Sequence, residues 1–270
     1  MKHIKNSFLL ILLFFVAHCA DYYNELKEIP EFVALTETIK SKKIYDDFPA
    51  FESWRLLVGT NKQNNGPFYV EEKEPGYFAG ISRGLDYALH HVNESLSVEL
   101  IEQIRAHALK KVTKKDNSTF EPTIGGTHGV QFNLVQNSNM SPKGLLELES
   151  KLQKDNFRKL KKDKNQELIL IRRAADRAEL YPEIQNIITN YETSPKNILN
   201  IITLIQDLFQ LHAFNDANTR TSIILLQKEL VRNNYTPVIL SNLKRFAAYS
   251  KQELVQEIQE AQERFRKYKY

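Results

Sequence analysis

Cysteine is nearly absent from the chain: one residue in 270. That excludes a disulfide-stapled scaffold and any cysteine-rich zinc site. Glycine and proline, at nine each, are too scarce for a collagen-like or low-complexity polymer. A strong charge of one sign is missing too. The 37 Lys+Arg stand against 33 Asp+Glu, and the resulting +4 is spread along the chain. Such a scatter belongs to a solvated surface rather than to a nucleic-acid footprint. Apolar residues are plentiful, at 42%, which is too many for a disordered chain. The length suits one large domain or two small ones around a sizeable core.

Residues 1–20 read as a targeting segment. Lys2 and Lys5 form a basic head, and Phe8 to Ala17 is ten apolar residues without a break. That matches the central region of a secretory signal and is short for a membrane span. Ala17 and Cys19 supply small residues at the two positions that cleavage after Cys19 requires. The alternatives are a lipid anchor on Cys19, which the preceding His18 disfavours, and an uncleaved anchor. Cleavage removes the one cysteine and two lysines, leaving a charge of about +2. The expected product is secreted and has no stable membrane span.

Residues 21–60 predict two or three short helices with Trp54 as a core anchor, and 61–76 read as a loop. Together they make a helical extension over 21–75. Phe78, Ile81, Leu85 and Leu89 predict a helix from Tyr77 to His91. Ser97 caps another, with Leu100, Ile101, Ile104 and Ala108 on one face. Lys110, Lys111, Lys114 and Lys115 complement the dipole at its end. The period then changes. Ile124, Gly125 and Gly126 precede Val130, Phe132 and Leu134, which alternate with Gly129, Gln131, Asn133 and Val135: the strongest hairpin signal in the chain. Ser141-Pro142 opens a helix continued by Leu145, Leu148 and Leu152. The basic run 154–164 reads as a solvated helix face rather than a phosphate-binding patch, and 166–191 as helix interrupted at Tyr181-Pro182. Ser194-Pro195 reads as a helix start. The face of that helix, Ile198, Ile201, Ile202, Ile205, Leu208 and Phe209, lands on His212. A largely apolar helix begins near Asn218, and a last one follows Ser250 and ends in a basic tail over 261–270. The expected fold is mainly α with one short β-hairpin.

The informative stretch is His212-Ala213-Phe214-Asn215-Asp216-Ala217-Asn218-Thr219-Arg220. An amphipathic helix ends at a histidine, a short polar loop follows, and an apolar helix begins. A helix start offers unpaired N–H groups and the positive end of the dipole to an anion. Ala217, Asn218 and Thr219 let phosphate oxygens approach that backbone, and Arg220 adds a fork of donors. Asp216 supplies one hard oxygen for Mg²⁺, which keeps most of its waters and bridges phosphates. His212 can take a proton from an incoming hydroxyl. Together these residues describe phosphoryl or nucleotidyl transfer. Each has a plain alternative: a histidine that only ends a helix, an Asp-x-Asn turn, a phenylalanine that belongs to the core. The functional reading rests on their conjunction within nine residues.

The segment closely resembles the active-site motif of the Fic family, His-x-Phe-x-Asp/Glu-Gly/Ala-Asn-Gly/Lys-Arg. His212, Phe214, Asp216, Ala217, Asn218 and Arg220 match it. The resemblance extends over about 75–260, expected as a Fic domain at 76–260. It implies a Fic-type helical bundle with a hairpin flap. It also implies His212 as general base for a Ser, Thr or Tyr hydroxyl of a target protein, and Asp216 as the Mg²⁺ ligand. Ala217, Asn218, Thr219 and Arg220 would form the phosphate site. The flap would be Gly129, Val130, Gln131, Phe132, Asn133 and Leu134, pairing with an extended target segment. His128 in the flap reads equally as surface or as substrate contact.

Two positions depart from the family's AMP-transferring members. Thr219 stands where glycine is usual, and Ile223 where a second arginine commonly holds the γ-phosphate. Ser95 to Glu99 nearly meets the family's inhibitory pattern, but Leu100 follows, and the segment reads as helix-start chemistry. The expected activity is AMP transfer from ATP. The alternatives are phosphocholine transfer from CDP-choline, as in some Fic enzymes, and phosphate transfer resembling that of Doc-type toxins. Two further alternatives are a secreted binding module with a vestigial site and a phosphodiesterase running the reverse reaction. The secretory leader implies a target beyond the producing cell, such as a host protein.

Overall fold

Polar caps set where the helices begin. The computed structural model describes residues 24–42, 49–63, 66–71, 73–114, 124–125, 129–153 and 155–268, with the backbone alone at 50 and 51. The expected leader with Cys19, Lys115 of the basic run, and Gly126 and His128 of the expected flap lie outside the described residues. The described helices include α1 (Pro30–Ser41), α2 (Thr60–Gln63), α3 (Tyr77–His90), α4 (Val98–Leu109), α5 (Pro142–Leu152), α6 (Arg177–Thr193), α7 (Ile198–Leu211), α8 (Asn218–Arg232) and α9 (Lys251–Arg266). The strands are β1 (Val130–Leu134), β2 (Arg158–Lys162) and β3 (Leu168–Arg172). The chain is thus mainly α with a small antiparallel sheet. Ser97, Ser141 and Ser250 accept the amides of Leu100, Gly144 and Glu253, so three starts fall where the sequence places them.

One core joins all of this. Leu26, Phe32, Leu35 and Trp54 of the N-terminal segment are buried with Phe78, Ile81, Leu85 and Leu89 of α3. The α8 helix runs through the middle, buried on every face from Arg220 to Leu230. Its far end is held by ions as well as by the apolar packing of Leu226 and Leu230. Lys228 and Glu229 are fully buried and pair at 2.8 Å. The second Glu229 oxygen accepts from the Tyr191 hydroxyl at 2.7 Å, and Lys228 Nζ also donates to the Glu94 carbonyl at 2.9 Å. Removing one member of such a pair strands the other in a dry interior. Glu229→Ala is therefore expected to cost roughly 3–5 kcal/mol of stability, read as a lowered midpoint in chemical denaturation.

Several expectations need correction, among them the helix expected from residue 166, where Leu168–Arg172 is strand β3 and the helix starts only at Arg177. The strand at 130–134 is present, but its partner is not local: β1 pairs antiparallel with β3, Phe132 opposite Leu170, in the order β1-β3-β2. The basic run 154–164 is no helix face. Arg158–Lys162 is strand β2, an edge paired with β3 and joined to it by a turn in which Asp163 accepts the amides of Asn165 and Glu167. Lysines on an edge strand hide its period of two, and they deter pairing with other chains. The proline at 182 sits inside α6 without ending it. The Asp176–Glu179 capping box fixes the start, and Leu180, Ile184, Ile188 and Tyr191 bury one face. One start is displaced by three residues: Ser194 turns its hydroxyl back to Asn190 O at 2.6 Å, and Asn197 caps α7 instead.

Candidate active site

The α7 helix ends on His212 because that residue turns left-handed, with φ 48° and ψ 48°. For a residue with a Cβ this costs roughly 1–2 kcal/mol, so neighbouring contacts must hold it. They do so at both ends of the loop that follows. The His212 carbonyl accepts from Arg172 Nε of β3 at 2.8 Å. The Asp216 carbonyl accepts from Arg105 Nε of α4 at 3.1 Å, and the same guanidinium lies 4.6 Å over the Phe214 ring. Asn218 closes the loop from inside: its Oδ1 accepts the Phe214 amide at 3.1 Å and its Nδ2 donates to the Phe214 carbonyl at 2.7 Å. Ala217 then turns left-handed, with φ 62°, and α8 begins.

This geometry assigns the residues of the motif. Phe214 is core, at 5% exposure. The Asn218 side chain is committed to the loop, which leaves its backbone N–H as the group it could offer to a ligand. Gly125 has a backbone reason to be glycine: φ is 76°, its amide donates to Ala213 O at 2.7 Å, and a Cβ would lie 2.3 Å from Ala175 O.

The His212 imidazole is held in one tautomer. Its Nδ1 lies 2.6 Å from the Phe209 carbonyl. A carbonyl only accepts, so Nδ1 carries the proton and Nε2 keeps its lone pair. Phe132 of β1 and Phe209 pack their rings 5.4 and 5.5 Å from the imidazole. Burial pushes the His212 pKa down to about 4, with the Phe209 hydrogen bond opposing and the Arg172 charge assisting. The imidazole is therefore neutral at pH 7.

A cleft of about 610 Å³ opens in front of it. His212 and the run Asn215–Arg220 form one wall, Tyr69, Glu74 and Tyr77 another, and Val130 of β1 reaches the rim. That volume lies in the range of small-molecule sites. The expected site residues His212, Asp216, Ala217, Asn218, Thr219 and Arg220 all line this one space. The expected flap is divided. Gly129, Gln131 and Asn133 are exposed, Phe132 supports the His212 ring, and Leu134 is core at 4% exposure.

The two charged groups of the motif already have partners from outside it. Arg220 Nη2 lies 2.7 Å from Glu74 Oε2, with its guanidinium 4.8 Å over the Tyr77 ring. Asp216 Oδ2 lies 3.5 Å from Lys114 Nζ. Burial, aided by the like charge of Asp216, raises the Glu74 pKa above the usual carboxylate value, while Arg220 and Lys114 oppose. The sequence gives little sign of Glu74, Lys114, Arg105 or Arg172. Glu74 stands in a segment read as loop, and Lys114 in a run explained by the helix dipole. Ser95 and Glu99, by contrast, bond to Arg232 and Tyr181. Among the described residues no cluster of three or more His, Cys, Asp or Glu could hold a metal. Asp216 offers one cleft-lining carboxylate, and that fits a Mg²⁺ ion which takes its other oxygens from phosphate and water.

Among the described residues no helix is long and apolar enough to cross a membrane. No family model and no curated protein matches the chain. Among solved structures, the chain is similar to Fic-1 from C. elegans at 15% identity and a TM-score of 0.42, over 98% of this chain and 73% of that one.

Proposed function

We propose that the protein transfers AMP, or a related phosphate-containing group, from a Mg²⁺-bound nucleotide to a Ser, Thr or Tyr hydroxyl of a target protein. The observation that carries this is a neutral imidazole, its proton fixed on Nδ1, lining the same cleft as the start of α8 and Arg220. His212 Nε2 accepts the proton of the target hydroxyl as its oxygen attacks the α-phosphorus. The bond from that phosphorus to its bridging oxygen breaks, and pyrophosphate leaves. The amides at the start of α8 and Arg220 hold the phosphates. Asp216 would hold Mg²⁺, which supplies charge neutralisation at the phosphates when bound. The edge strand β1 receives the target segment, and the target lies outside the producing cell. The motif's resemblance to the Fic family supports the same assignment.

A second reading is favoured by Ile223, which is buried at 3% exposure and offers a third phosphate no cation. A diphosphate donor such as CDP-choline satisfies every contact described, with phosphocholine as the transferred group. Incubation of the protein and candidate targets with Mg²⁺ and ATP, CDP-choline or UTP, followed by mass spectrometry, separates the two by the mass added. Saturable nucleotide binding without any mass gain would identify a binding module instead.

A further inference from the structure

Arg172 is among the most deeply buried side chains of the protein, at 1% exposure. Among the described residues none of its contacts is to a carboxylate. Nε donates to the His212 carbonyl at 2.8 Å, Nη1 donates to the Arg173 carbonyl at 2.8 Å, and Nη2 has no hydrogen-bond partner. A buried guanidinium held only by carbonyls is costly to the fold. The carbonyl it holds closest to the chemistry belongs to the residue that turns left-handed into the cleft. The sheet grips the same histidine twice. Arg172 of β3 stands opposite Val130 of β1, and two residues along β1 the Phe132 ring meets the imidazole.

We propose that Arg172 is a positioning residue for His212: by holding its carbonyl it fixes the left-handed turn that keeps Nδ1 on the Phe209 carbonyl and Nε2 free for the cleft. Arg172 touches neither donor nor acceptor and acts through the backbone of its neighbour. Of the charged groups around the imidazole, Lys62, Glu74, Asp216, Arg220 and Lys244 line the cleft with it, while Arg172 is tied to its backbone. The activity readouts rest on the reading of His212 as base; the spectroscopic readouts do not.

The test compares wild type, Arg172→Met and Arg172→Lys by nitrogen-15 NMR of the imidazole and by transfer kinetics. Wild type is expected to show one tautomer, protonated at Nδ1, with a pKa well below the ordinary histidine value. Arg172→Met should populate both tautomers and move that pKa upward. Turnover should fall about 10²-fold, the loss expected from ångström-scale misplacement of a catalytic group. KM for the donor should change by less than about threefold, because the phosphate contacts remain. Arg172→Lys keeps a charge and one donor and should restore part of the Nδ1 tautomer. A purely structural role predicts a lower melting temperature with unchanged His212 signals, and that result overturns the proposal. If wild type transfers nothing from any donor, the proposed activity fails. The imidazole spectra then still decide the role of Arg172, and the Lys variant decides it should the Met variant not fold.

Discussion

His212→Ala is expected to lower group transfer by roughly 10²–10⁴-fold, the contribution of a positioned general base. Donor affinity should stay within about threefold of wild type, because none of the phosphate contacts passes through the imidazole. Isothermal titration with Mg²⁺-nucleotide and initial-rate assays separate the two quantities. The pH dependence follows from the same geometry. With a pKa near 4, the base stays unprotonated well below the ordinary histidine range. The acid limb that His212 contributes to kcat/KM should therefore lie near pH 4 rather than 6.5. Stability runs the same way. Between pH 6.5 and 4 the unfolded chain binds a proton at this position that the folded chain refuses. His212 therefore removes stability as pH falls through that window. In His212→Ala that part of the acid destabilisation should be absent.

Glu74→Gln is expected to tighten binding of Mg²⁺-nucleotide by roughly 10- to 100-fold, the worth of one charge-assisted contact released to the ligand. The Arg220 side chain is 5% exposed and paired with a carboxylate that is 29% exposed, so an arriving phosphate must displace an anion already seated. Without ligand the variant should melt lower than wild type, since Arg220 loses its partner. With saturating ligand the order should reverse. The pH sign agrees. The raised pKa of Glu74 means that mild acid protonates it before an ordinary glutamate, which releases Arg220. Wild-type affinity should therefore rise as pH falls toward that pKa, and the variant should not share the effect. Equal affinities at all pH values would remove Glu74 from the binding equilibrium.

Much of the site is legible in the sequence because it is local. His212 to Arg220 span nine residues, and the rules that make a helix end, a loop and a helix start act within that reach. Ser97, Ser141 and Ser250 are legible for the same reason: a cap is satisfied by an amide three residues away. What escapes is non-local or disguised. The partner of β1 lies at Leu168–Arg172, beyond α5, so a hairpin pattern around 124–135 points to the wrong neighbour. The lysines of β2 obey solvent rather than the sheet. Arg105 and Arg172 carry no periodic signature, yet each ends on a carbonyl of the loop 111 and 40 residues away, respectively. Glu74 illustrates the same limit. Its proximity to Arg220 is created by the packing of the segment before α3, and no spacing within the sequence announces it.

The most direct measurement is the structure of the protein with Mg²⁺ and a non-hydrolysable donor nucleotide. The bound diphosphate should lie against the amides at the start of α8, with Arg220 turned from Glu74 to the phosphate and the His212 imidazole beside the reacting phosphorus. A nucleotide bound elsewhere, with Arg220 still paired to Glu74 and the cleft in front of His212 filled by protein side chains, would contradict the account.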